Sequence, residues 1–132
     1  MCDIAALLDT HAVLWYITSD SRLSDKARAI IQTKTNLFFS IASLWEIAIK
    51  LNLDKLQLTS SFDEILIRLE FINAEILPIA AEDTKTYINL PLFANHRDPF
   101  DRILIAQAMN YSLGMVSGDT KFDLYPIQRI WS

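Results

Sequence analysis

Short apolar runs recur along the chain: AALL (Ala5 to Leu8), LFFS (Leu37 to Ser40), EILPI (Glu75 to Ile79) and MVSG (Met115 to Gly118). Runs of this length without regular polar alternation are the pattern of strands buried on both faces. IQRIW near the C-terminus fits a last strand. Between these runs the apolar positions repeat at helical spacing. A helix starts at Thr10, after Asp9. SDKARAIIQTK opens with Ser24, a good N-cap, and places Asp25 in the first turn. SIASLWEIAIKLN puts Ile41, Leu44, Trp45, Ala48 and Ile49 on one apolar face, and SFDEILIRLEFIN does the same with Phe62, Ile65, Leu66, Leu69 and Ile72. AAEDTKTYINL and PFDRILIAQAMNYS complete the helices. Strands alternating with helices predict right-handed crossovers and a mostly parallel sheet covered on both sides, an α/β fold. Ligands of such sheets bind outside the carboxyl ends of the strands. Asp9 and Asp119 each follow a short apolar run, so they mark the edge where a site is to be sought.

Composition adds limits to this picture. The 132 residues carry only two glycines, Gly114 and Gly118, and no Ser/Gly-rich or Pro-rich linker, which predicts one domain over 1–132. Charged residues interrupt every apolar stretch before it reaches membrane-spanning length, so no membrane partner is expected. Asp3 stands where a signal peptide would carry positive charge, and the single cysteine, Cys2, suits a reducing compartment. Both point to the cytoplasm. A net charge of −4 argues against a broad basic face of the kind that binds nucleic acid by counterion release. If the substrate is a polyanion, something other than side chains must supply positive charge.

Several chemistries drop out on motif grounds. The few glycines form no phosphate-cradling loop. His11 and His96, the only histidines, have no paired-ligand spacing for zinc, and no serine sits in a nucleophile elbow. Acidic residues remain: Asp9, Glu46, Asp101 and Asp119. Each has an ordinary explanation. Asp9 and Asp119 can cap helices, Asp101 suits a first helical turn, and Glu46 can pair with Lys50 at i,i+4 for about 0.3–0.5 kcal/mol. Taken together they are less ordinary, because a parallel fold gathers such positions at one edge. Clustered carboxylates repel and raise each other's pKa. Hard divalent cations relieve that repulsion, and Mg2+ or Mn2+ can activate water for phosphodiester cleavage.

Four segments carry a resemblance: LLDTHAVLW (Leu7 to Trp15), SIASLWEIAIK (Ser40 to Lys50), HRDPFDRILIAQA (His96 to Ala108) and MVSGDTKFDLYPIQRIW (Met115 to Trp131). In order and spacing they resemble the PIN-domain ribonucleases, and look closest to the VapC-like toxins of bacterial toxin–antitoxin pairs. The resemblance implies a PIN-like three-layer α/β/α sandwich around a mostly parallel sheet. It implies an acidic quartet of metal ligands on Asp9, Glu46, Asp101 and Asp119, and Mg2+ or Mn2+ as cofactor. The implied activity is endoribonuclease cleavage of RNA, restrained by a small antitoxin protein, often in a homodimer. His11, two residues after the first aspartate, departs from the smaller polar residue many relatives carry there.

The pair Asp98 and Asp101 divides by position. Asp98 precedes Pro99, and Asp at N-cap with Pro at N1 is a favoured helix start, which leaves Asp101 at N3 as the ligand. Asp123 reads as a solvated helix residue, with support of the site as its alternative. His96, Arg97 and Arg102 are the nearest cations in sequence, to be weighed as phosphate contacts or a solvated loop. Trp15, Tyr16 and Ile17 cannot all face one core, so part of that trio is expected to meet a second copy or the antitoxin. Two other classes compete. A receiver-type signalling module would need a late lysine at a strand end, and Lys121 falls after the fourth aspartate instead. A catalytically silent domain that only binds a protein is disfavoured by the complete quartet. An aspartyl phosphatase of the D-x-D type fails on His11.

Overall fold

The computed structural model of the protein describes residues 5–58 and 61–132; Cys2 and Asp3 lie outside them. The strands are β1 (Ala6–Leu8), β2 (Leu37–Ser40), β3 (Glu75–Leu77), β4 (Gly114–Val116) and β5 (Arg129–Ile130). The helices are α1 (Thr10–Ile17), α2 (Asp25–Gln32), α3 (Ile41–Asn52), α4 (Phe62–Phe71), α5 (Ala81–Ile88) and α6 (Pro99–Tyr111). A single 3-10 turn, Thr120–Leu124, follows β4. All strand pairs are parallel, in the order β3-β2-β1-β4-β5.

The central strand explains the layering. Ala6, Leu7 and Leu8 are all fully buried, yet they alternate between two cores because successive side chains leave a strand on opposite faces. Ala6 and Leu8 join Val13, Ile31, Ile47 and Ile65 from α1, α2, α3 and α4. Leu7 joins Leu104 and Ile105 of α6 together with Phe122 and Tyr125. The result is the expected α/β/α sandwich. Ser24 caps its helix as the sequence suggests, accepting from the Ala27 amide at 3.1 Å; Ser40 accepts from Ala42 at 3.0 Å and Ser61 from Glu64 at 3.3 Å in the same way.

Three local expectations are corrected. The run Glu75 to Ile79 forms a ladder only as far as Leu77, because Pro78 has no N–H to continue it. On α3 the buried residues are Ala42, Ser43, Leu44, Glu46 and Ile47, whereas Trp45 is 61% exposed and Ile41 41% exposed. The helix is rotated so that Glu46 turns inward, and Trp45 packs instead edge-on against Phe100 with ring centroids 5.4 Å apart. Trp15, Tyr16 and Ile17 are all half-buried against the first core, so the exposed apolar surface lies elsewhere, notably at Trp45, Phe71, Ile88 and Leu92. No helix among the described residues is long and apolar enough to cross a membrane.

The central strand sets the stability of the whole. Leu8→Ala, at a fully buried position, is expected to cost about 2–5 kcal/mol. Leu53→Ala, at a position 54% exposed, should stay within about 0.5 kcal/mol. Urea unfolding of the two variants checks the contrast.

Candidate functional site

The parallel register brings three chain segments to one edge of the sheet. Leu8 lies opposite both Phe39 and Val116, so β1 and β4 end level and β2 runs one residue further, to Ser40. The Asp9 amide extends the ladder by one bond, donating to the Val116 carbonyl at 3.1 Å. Asp9 then caps α1, its Oδ1 accepting from the Ala12 amide at 2.7 Å. Glu46 stands in the second turn of α3, where Thr10 Oγ1 donates to Oε1 at 3.0 Å and the Lys50 ammonium lies 3.3 Å from Oε2. Asp119 caps the 3-10 turn by accepting from the Lys121 amide at 3.0 Å, and its own amide donates to Ser117 Oγ at 3.0 Å.

Asp98 is the N-cap of α6, accepting from the amides of Phe100 at 2.8 Å and Asp101 at 3.4 Å. Pro99 follows at N1, which puts Asp101 at N3. The four acidic residues singled out in the sequence line one cleft of about 100 Å3, together with Thr10, His11, Lys50, Asp98 and Phe122. Asp98 is therefore both a cap and a neighbour of the quartet. Asp123 is not part of it: its carboxylate is exposed and holds Arg129 through bonds of 3.0 and 3.1 Å.

Burial and mutual repulsion both act on these carboxylates. Burial pushes the Asp9 carboxyl above its ordinary range, opposed by hydrogen bonds from Ser117 and the Ala12 amide and reinforced by the charge of Asp119. Asp101 is pushed up to about 6, first by burial and then by the charge of Asp98; His96 opposes the rise and Glu46 adds to it.

His96 and Arg102 do something the sequence did not reveal. Both are buried, 3% exposed each, so neither is a solvated cation waiting for phosphate. The Arg102 guanidinium, a pure donor, bonds the Pro91 carbonyl at 2.8 Å and the Tyr125 hydroxyl at 3.2 Å. Having accepted from Arg102, that hydroxyl offers its own proton to His96 Nδ1, 2.8 Å away. Nε2–H of His96 is then the donor to Asp101 Oδ2 at 3.2 Å. A chain of buried polar groups thus fixes the orientation of one acidic side chain. Arg97 alone of the three remains exposed. For Arg102 the apolar run Ile103 to Ala106 that follows it was a local signal; His96, between Asn95 and Arg97, had no such signal.

The donor set suits a hard divalent cation, since every candidate ligand is a carboxylate oxygen. Among the described residues no three or more His, Cys, Asp or Glu side chains are gathered closely enough to hold an ion as they stand. Asp9, Asp101 and Asp119 each commit one oxygen to the protein partner named above, and both oxygens of Glu46 have partners. The residues fit such an ion in kind, and they line one cleft.

A parallel α/β/α domain with an acidic cleft at the carboxyl edge of its sheet is the class of protein these features define. A family model described as PIN domain matches residues 6–127, and the chain belongs to that family, whose members are nucleases. That assignment removes the receiver-type alternative. Solved structures share the fold. A chain of a toxin–antitoxin complex from Klebsiella pneumoniae is 17% identical, with 95% of each chain covered and a TM-score of 0.64. VapBC2 from Rickettsia felis, bound to a DNA fragment from their promoter, is 18% identical over 96% of this chain and 98% of that one, with a TM-score of 0.66. FitAcB from Neisseria gonorrhoeae is 19% identical over 95% and 96%, with a TM-score of 0.67. No curated protein sequence matches the chain.

Two contrasts test the site without reference to catalysis. Asp101 binds its proton more tightly when folded, about 6 against 3.8, so the folded state holds more protons in that window and stability falls as pH rises through it. Metal-free thermal melts across the window should therefore show a decline that is smaller in Asp101→Asn, and that variant should match or exceed the parent at pH 7. For the cap, Asp98→Asn should cost little, whereas Asp98→Ala should lose about 0.5–2 kcal/mol in urea unfolding.

Proposed function

We propose that the protein is a Mg2+- or Mn2+-dependent endoribonuclease, the toxin of a bacterial toxin–antitoxin pair, acting in the cytoplasm. The observation that carries this reading is the convergence of Asp9, Glu46, Asp101 and Asp119, from four separate elements, on one cleft. In this reading those four residues hold the cation. When bound, the ion offsets carboxylate repulsion, attracts the phosphate and activates water for hydrolysis of the RNA phosphodiester bond. The protein's own groups prepare the cleft. His96 orients Asp101, the Ala12 and Lys121 amides orient Asp9 and Asp119, and Thr10 positions Glu46. Lys50, half-exposed and paired with Glu46 at 3.3 Å, borders the cleft and would reach the phosphate by exchanging that partner.

The partners in this reading are an RNA substrate, a cognate small antitoxin and a second copy of the chain. Similarity of fold to toxin–antitoxin complexes supports the antitoxin. Exposed Ile41 and Trp45, one turn apart on α3, give a homodimer apolar surface to bury.

A mixed RNA pool incubated with Mg2+, Mn2+ or EDTA tests the activity. Cleavage with either ion and none with EDTA is expected, and Asp9→Asn should fall to background while melting as a folded protein. Failure of the parent protein to cut under any ion leaves the catalytically silent binding domain as the better account. Near-normal cleavage by Asp9→Asn removes Asp9 from the site.

A further inference from the structure

Three hollows meet at one side chain outside the acidic quartet. His11, exposed in the first turn of α1, lines the carboxylate cleft, a larger groove of about 420 Å3 and a smaller hollow of about 220 Å3. Trp15, one helical turn on, lines the latter two. Their rings lie 5.6 Å apart at 42°, so together they form an aromatic ridge with a hollow on each side. The larger groove shares Thr10, His11 and Lys50 with the carboxylate cleft, and the smaller shares Asp9, His11 and Asp119. Both open directly from the place where a scissile phosphate would sit.

The ridge is braced by its neighbours. Trp131 meets the Trp15 indole edge-on at 6.0 Å, and the Arg22 guanidinium lies 4.8 Å from the same ring, held in turn by Asp20 at 2.7 Å. Gly118 makes room for that brace, since a Cβ there would stand 2.9 Å from Trp131 Cε2. Arg22 and Asp20 themselves line the larger groove, so Trp15 is a braced wall of that groove with the exposed His11 ring beside it.

Resting on the nuclease reading, we propose that the His11–Trp15 ridge is a platform for the unpaired nucleobase next to the scissile phosphate, seated in the 420 Å3 groove. The groove is within the size range of small-ligand pockets, roughly 300–1,000 Å3. It joins π-faces to a lysine that also borders the carboxylate cleft, which is the pairing a nucleotide needs: stacking for the base and charge for its phosphate. Bases inside a duplex cannot enter it, so the substrate is single-stranded RNA or a loop. The groove also carries Leu14, Ile47, Leu56 and Leu58, which a partner peptide could use. Continuity with the carboxylate cleft and the aromatic ridge favours the base.

The test is the affinity of the full chain for a labelled single-stranded oligoribonucleotide containing the mapped cut site, measured by filter binding in Ca2+ with strand integrity checked on a gel. His11→Ala and Trp15→Leu should each weaken binding about ten-fold or more, while His11→Phe and Trp15→Phe stay close to the parent. An abasic nucleotide moved along the strand should weaken binding only beside the cut site, and the same sequence as a duplex should bind more weakly. Thermal melts show whether Trp15→Leu is folded, and exposed His11 supplies a second variant that does not touch the core. If the parent cleaves RNA but His11→Ala and the abasic strand bind as tightly as their controls, the platform is wrong, the groove serves a protein partner, and the nuclease reading stands. If the parent neither binds nor cleaves RNA, the nuclease reading itself fails.

Discussion

Everything at the site depends on the register of three parallel strands. Leu8 sits level with Phe39 on one side and Val116 on the other. One residue further along, the chain reaches Asp9, Ser40 and Ser117, and these lead into the turns that carry Asp9, Glu46 and Asp119. A slip of one residue in β1 would exchange the faces of Leu7 and Leu8 and rebuild both cores. The apolar burial that forbids such a slip is therefore also what places the carboxylates. Packing energy, spread over many Leu and Ile side chains, sets positions that no direct attraction between acidic groups could hold.

Bringing like charges together has a local compensation. Asp9 caps α1, Asp98 caps α6 and Asp119 caps the 3-10 turn, so each faces backbone amides whose partial charge is positive. Asp101 receives His96, and Glu46 receives Thr10 and Lys50. Capping and chemistry are thus not competing explanations for these residues. The cap helps a carboxylate remain at a crowded edge, and in the proposed reading a bound cation would offset the burial, first, and the repulsion, second, that raise Asp9 and Asp101.

The sequence was most informative where the deciding interaction is local. Strand runs, the Ser24 cap and the Asp98–Pro99–Asp101 arrangement depend on neighbours within four residues, and each is found close to where the pattern placed it, with β3 cut short at Pro78 and β4 ending at Val116 rather than Gly118. The family model agrees with the resemblance carried by the four segments. What could not be read depends on tertiary surroundings. Helical periodicity favoured Trp45 over Glu46 for the buried face of α3, because apolar residues are normally the ones buried. Here the inward position borders the acidic cleft, so Glu46 turns in and Trp45 finds Phe100. His96 and Arg102 looked like solvent-facing cations because their partner, Tyr125, is more than twenty positions away. The quartet's roles as ligands rest on family resemblance and donor chemistry together, since position alone shows convergence and not coordination.

An acidic nuclease faces a difficulty that a basic one does not. With a net charge of −4, it has few cations to hold a polyanion by counterion release, and Arg22 and Arg129 are engaged by Asp20 and Asp123. Affinity must then come from contacts that do not require net positive charge. In the proposed reading, a cation in the carboxylate cleft would supply one such contact at the phosphate. The proposed stacking of a base on His11 and Trp15 would supply another that is sequence-tolerant and weakly screened by salt. The two are adjacent because Asp9 and His11 belong to the same first turn of α1, so the strand end that positions a ligand also positions the ridge. On this view His11 is not a disturbance of the acidic site but the wall between the phosphate and its base.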